Sequence, residues 1–115
     1  MSRRPVTLLL DEMLTAIGKI ERYVEGLDRA AFLADERTGD AVVRNLEVIG
    51  EAAARLPEAF RASASDIPWR RIVGLRNRIV HEYFGIDLEI VWEIVRTDLP
   101  ALRPQLAELH SRQAE

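Results

Sequence analysis

One short stretch, residues 68–87, gathers four arginines within nine positions (Arg70, Arg71, Arg76 and Arg78), one of the two histidines, His81, and one of the two tyrosines, Tyr83. Arg76 is followed at once by Asn77 and five positions later by His81. These residue types suit work on a phosphodiester. Cleaving RNA without a metal needs a base to take the 2′-hydroxyl proton, an acid for the leaving 5′-oxygen, and cations for the charge that builds on phosphorus. Histidine titrates near neutral pH and serves as acid or base. Arginine forks onto phosphate oxygens and stabilises the crowded transition state. Asn77 is placed to orient phosphate or base by hydrogen bonding, and Arg70 and Arg78 to charge the mouth of such a site.

The element that carries these side chains must turn them toward one point. On one regular helix, at about 100° per residue, Ile72, Val73, Leu75, Ile79 and Val80 share a broad inward sector with Arg76 and Tyr83. His81 falls nearly opposite, about 140° from Arg76, beside Arg70, Gly74 and Asn77. The two groups therefore meet only if the helix unwinds near Val80 or if two copies of the chain complete the site, as a two-fold dimer would. A guanidinium in an apolar sector also needs a carboxylate, a cleft or a partner subunit. Glu47 and Glu51 are the candidate carboxylates within the chain.

Stepping outward, Val6, Leu9, Leu10, Met13, Ile17, Ile20, Val24 and Leu27 mark one face of a first amphipathic helix. Asp28 can cap a short second helix through Leu33. From Asp35 or Thr38 to about Leu56, an apolar stripe (Val42, Leu46, Ile49, Ala53, Leu56) opposes a charged one of Arg44, Glu47, Glu51 and Arg55. That charged stripe reads as a solvated or interface face. Residues 57–65 read as a turn with one helical turn in it, and Ser65 or Asp66 as the cap of the helix that carries the arginine-rich stretch, with Pro68 near its first turn. Asp87 caps a last helix bearing Ile90, Val91, Ile94, Val95, Leu99, Leu102, Leu106 and Leu109, which Pro100 and Pro104 should kink or split. His110 reads as a charge favourable to that helix's C-terminus. No stretch reads as a strand. The expectation is an all-α, up-and-down bundle of four to five helices forming one domain over residues 1–115.

Composition narrows the function classes. With 48% apolar and 30% charged residues the chain is of the ordinary globular kind, and no apolar run approaches the roughly 20 residues of a membrane span. Neither a secretory signal nor cysteine is present, which leads us to expect a cytoplasmic protein without disulfides or thiolate metal sites. We expect no metal site, since two histidines are too few, and no cofactor. A net charge of −3 argues against coating long nucleic acid, but fifteen of the sixteen cationic residues are arginine, which suits a local basic cleft.

Trp69 through Asn77, running into His81-Glu82-Tyr83-Phe84-Gly85-Ile86-Asp87, resembles the HepT-like branch of the HEPN ribonucleases, whose signature is an Arg, four to six residues, a His, any residue and a Tyr. Arg44 through Ala52 resembles that family's second helix, so that the likeness covers roughly residues 5 to 110. The resemblance implies a HEPN-like helical fold and a homodimeric, metal-independent endoribonuclease toxin of a toxin–antitoxin pair, with Arg76 and His81 catalytic and cleavage through a 2′,3′-cyclic phosphate. It also implies an MNT-type nucleotidyltransferase antitoxin that silences the toxin by adenylylating Tyr83. An AMP there would add bulk and negative charge two residues from His81. The alternatives are a non-catalytic helical interaction or antitoxin subunit that binds a nucleotidyltransferase, and, more remotely, a nucleotide-binding helical domain.

Overall fold

The three-and-four spacing of apolar residues yields three long helical runs around one core. The computed structural model describes residues 5–81 and 85–113, with the side chain of His81 outside that description. Helix α1 spans Val6–Val24 and buries Leu9, Leu10, Met13, Ala16, Ile17 and Ile20. It ends one turn before Leu27 because Glu25 turns extended, with ψ 127°. Helix α2, Arg29–Leu33, starts where expected: the Asp28 carboxylate accepts from the Ala31 N–H at 2.8 Å. Its Phe32 is fully buried and packs on Trp92, with ring centroids 5.1 Å apart. Helix α3, Glu36–Arg55, is capped by Asp35, which accepts from Thr38 N at 3.0 Å. That bond, with the Thr38 hydroxyl and nearby Arg37, holds the Asp35 carboxyl below its ordinary pKa.

Residues 57–65 contain the one expected helical turn, α4, Glu58–Ser63. Neither Ser65 nor Asp66 caps the next helix. It begins instead behind Pro68, without a side-chain cap, and is fixed by Trp69, whose buried indole N–H donates to the Ala64 carbonyl at 3.0 Å. The expected single helix is two short ones, α5 (Trp69–Val73) and α6 (Leu75–Ile79), joined at Gly74. After α6 the chain turns extended, and β1 (Val80–His81) pairs antiparallel with β2 (Gly85–Ile86). This two-residue ladder departs from the expectation of no strand. It is too short to carry a period-2 apolar pattern, so the sequence offered nothing to detect.

Asp87 caps the last run as expected, accepting from Glu89 N and Ile90 N. The run comprises α7 (Leu88–Glu93), a π turn (Ile94–Asp98) and α8 (Leu99–Gln113). Pro100 cannot donate to the preceding turn and crowds it, and the wider π turn lies directly upstream. Pro104 sits inside α8. Helix α1 packs along both α3 and α8, while α5 and α6 lie against α3. The result is an all-α fold. None of the described helices is long and apolar enough to cross a membrane.

Candidate active site

Arg76 and Asn77 reach the surface because α6 is short. Its register buries Leu75 and Ile79 and turns the two polar residues out. The expected inward sector is therefore corrected. Ile72, Leu75 and Ile79 are buried, but Val73 is 37% exposed, Val80 44%, and the Arg76 side chain 75%. The buried face is narrower than expected: Ile72, Leu75 and Ile79 fall within about 60° of one another around the helix, and Arg76, Val80 and Val73 lie together on its exposed flank.

Opposite Arg76 stands α3. Gly50 lets it approach, for a Cβ there would lie only 3.2 Å from the Ile72 carbonyl oxygen at the end of α5. Leu46, Glu47, Gly50, Glu51 and Ala54 then form one side of a groove of about 280 Å³, and Val73, Arg76 and Asn77 the other. Arg76 Nε lies 3.8 Å from Glu47 Oε2, a loose and exposed ion pair. Such a pair holds a guanidinium near its post without consuming it, since exposed pairs are worth at most about 1 kcal/mol. Glu51 lines the same groove but makes no ion pair with Arg76.

The other arginines of the stretch go elsewhere. Arg78 Nη1 donates to Asp98 Oδ2 at 2.8 Å, and Arg71 Nη2 to the same oxygen at 3.2 Å. Both line a wider groove of about 580 Å³ between α5–α6 and the last helical run. Arg70 borders a third hollow, with Glu58, Arg61 and Trp69. Of the predicted supporting residues, only Asn77 shares the Arg76 groove. Asp98 escaped the sequence reading because it acts across 20 and 27 residues from a π turn. Gly50 was visible only as part of the α3 stretch Arg44–Ala52.

Ahead of His81 the backbone leaves the helix. Helix α6 ends at Ile79, and Val80 is extended with φ −89° and ψ 126°. The unwinding expected near Val80 is present in the backbone. The Asp87 N–H donates to the Ile79 carbonyl at 2.7 Å, and Gly85 adopts φ +77°, a left-handed turn that glycine enters without steric cost. The His81 imidazole, Glu82, Tyr83 and Phe84 lie outside the described residues. His110, expected only to favour the end of its helix, has a carboxylate partner: its Nε2 lies 2.7 Å from Asp11 Oδ1, tying α8 to α1.

These features define a class: an all-α protein with an arginine and an asparagine at an open groove, one turn before an unwound histidine segment. The comparisons are more specific. A family model described as ribonuclease HepT-like matches residues 13–109, and the chain belongs to this family. A Thermococcus cleftensis protein named "Probable ribonuclease HepT" is 36% identical over 100 residues, covering 87% of this chain and 91% of that one. A "Putative RNase" of Caldanaerobacter subterraneus subsp. tengcongensis is 42% identical over 90 residues, 78% of this chain and 80% of its own. One from Methanocaldococcus jannaschii is 35% identical over 106 residues, 92% and 97% of the two chains. No solved structure matches the chain.

Proposed function

We propose that this protein is a metal-independent endoribonuclease, the toxin of a toxin–antitoxin pair. Family membership supports the activity. The observation that carries the site is the end of α6 at Ile79, which takes His81 off the helix that would have held it about 140° from Arg76. Arg76, exposed and only loosely paired with Glu47, binds the scissile phosphate and stabilises the dianionic transition state. His81 moves a proton, either from the 2′-hydroxyl as O2′ attacks phosphorus or onto the departing 5′-oxygen. The products are a 2′,3′-cyclic phosphate and a free 5′-hydroxyl. Asn77 orients the RNA beside Arg76. Arg70 and Arg78 act at a distance, through the field they add around the site.

The whole chain works as one domain, as a cytoplasmic homodimer with the His81 segment at its seam. Val80 and Ile86, cross-strand partners that are 44% and 39% exposed, supply apolar surface for the pairing. The antitoxin is a nucleotidyltransferase. It directs the Tyr83 phenol oxygen onto the α-phosphorus of ATP, pyrophosphate leaves, and the resulting AMP blocks the phosphate site.

Incubation of the purified protein with RNA in EDTA tests the reading. We expect cleavage by the wild type and none by His81→Ala or Arg76→Ala. Equal cleavage by wild type and variants would refute it. A tight complex with a nucleotidyltransferase and no cleavage at any dilution would favour a non-catalytic interaction subunit. For the modification, a mass increase of one or more AMP units on wild type and not on Tyr83→Phe is expected after treatment with that partner and ATP.

A further inference from the structure

The groove beside Arg76 carries a carboxylate that phosphate binding does not explain. Glu47 and Glu51 lie one turn apart on α3, and both face the groove opposite Arg76 and Asn77. Glu47 is engaged with Arg76. Glu51 is exposed and has no ion-pair partner among the described residues. Next to a site that must attract a polyanion, an unneutralised carboxylate opposes binding of the RNA backbone. It becomes favourable only if the part of the RNA it meets presents hydrogen-bond donors. Nucleobases do, and single-stranded RNA can turn their Watson–Crick edges toward a protein.

We propose that this groove is a base-reading subsite for guanine, next to the scissile phosphate. The inference rests on the ribonuclease reading above. Guanine offers two adjacent donors, N1–H and the N2 amino group, which a carboxylate accepts with both oxygens, and its O6 accepts from the Asn77 side-chain amide. Adenine and cytosine each offer one amino group beside a lone-pair nitrogen, which repels a carboxylate. Uracil offers one N–H flanked by two carbonyls. Between the polar groups the lining is aliphatic, from Ala54 and Val73. A volume of about 280 Å³ suits a single base rather than a larger ligand.

The test separates base reading from cleavage. Four single-stranded uridine oligonucleotides, one unsubstituted and three carrying one central guanine, adenine or cytosine, are titrated by fluorescence anisotropy with His81→Ala protein, which cannot cut them. We expect guanine to bind tighter than the other bases by about tenfold to a hundredfold, the usual discrimination of a bidentate pair. Glu51→Gln should bring that ratio close to one, and Asn77→Ala should reduce it. Glu47→Gln, which frees Arg76 from its carboxylate, should shift the affinity for all four oligonucleotides alike and keep the ratio. Equal binding of the four bases, or a guanine preference that survives Glu51→Gln, overturns the proposal. Sequencing the ends left by the wild type on a random RNA pool then distinguishes the two readings. His81-dependent cuts with no guanine bias remove the subsite and leave the ribonuclease. Guanine-selective binding without any His81-dependent cut does the reverse.

Discussion

Along α1, α3 and α8 the apolar residues at three-and-four spacing are buried almost without exception, whereas over residues 69–80 the same spacing leaves Val73 and Val80 well exposed. The long helices run 19, 20 and 15 residues, and α5 and α6 five each. In a long helix many buried side chains vote for one face, each worth about 1.5–3 kcal/mol, and the periodicity dominates. In a five-residue helix only two buried residues decide, and the apolar residues beside them stay exposed. The framework is thus specified by repetition and the candidate site by interruptions. Substitutions should follow that division, framework changes moving stability and site changes moving activity.

The largest effect we expect is on stability. Phe32 is completely buried, and its ring against Trp92 ties α2 to the start of the last helical run. Phe32→Ala should cost about 3–5 kcal/mol in urea unfolding. A loss below about 1 kcal/mol would show that this corner is not part of the cooperative framework. The site counterpart is Arg76→Ala. Removing one preorganised donor to a developing oxyanion costs about 10²–10³ in kcat, and Arg76 is exposed in a loose pair. RNA cleavage should therefore fall by that factor while the melting temperature holds. A large drop in melting temperature would place Arg76 with the framework.

How far each region could be read from sequence follows the same physics. Asp28, Asp35 and Asp87 announce helix starts because a carboxylate before an apolar period satisfies free N–H groups, and all three cap as expected. The site residues were legible as chemistry: an Arg-Asn pair five and four positions before a histidine. Their directions were not, because the apolar sector of the sequence is wider than the face that packs: Ile72, Leu75 and Ile79 are buried, and Val73, Val80 and Arg76 lie on the exposed flank. The separation of about 140° between Arg76 and His81 on a regular helix leaves unwinding near Val80 or a second copy of the chain as ways to join them, and α6 does end at Ile79. The Asp98 bridge to Arg71 and Arg78 was invisible because sequence separation hides contacts between elements.

Two contacts join framework to site and should give intermediate effects. Gly50 is where α3 meets the end of α5, and a branched side chain there must displace the Ile72 carbonyl. Gly50→Val should destabilise by about 1–3 kcal/mol, as overpacking does. It should also move Arg76 away from Glu47, so that cleavage falls further than the lost stability alone accounts for. Cleavage that merely tracks the folded fraction would mean that α3 does not set the position of Arg76. Asp98→Asn loosens the tie of Arg71 and Arg78 to the π turn. With the partners partly exposed, the cost should be about 1 kcal/mol or less and should shrink in high salt.

The smallest effect separates two caps of the same kind. Asp35 caps a framework helix and Asp87 the helix that follows the site. Bonds from the Thr38 backbone and hydroxyl hold the Asp35 carboxyl below its ordinary pKa. A carboxylate with a depressed folded-state pKa stabilises the protein at pH values above its unfolded pKa, and that contribution is lost as pH falls through the folded one. Asp35→Ala should therefore melt below the wild type at pH 7, and the gap should close as the solution is acidified below the ordinary aspartate range. Activity per folded molecule should not change, because α3 reaches the groove through Glu47 and Glu51, about three to four turns beyond its cap. A gap that stays constant down to low pH would mean that the Asp35 charge contributes nothing and only its geometry matters.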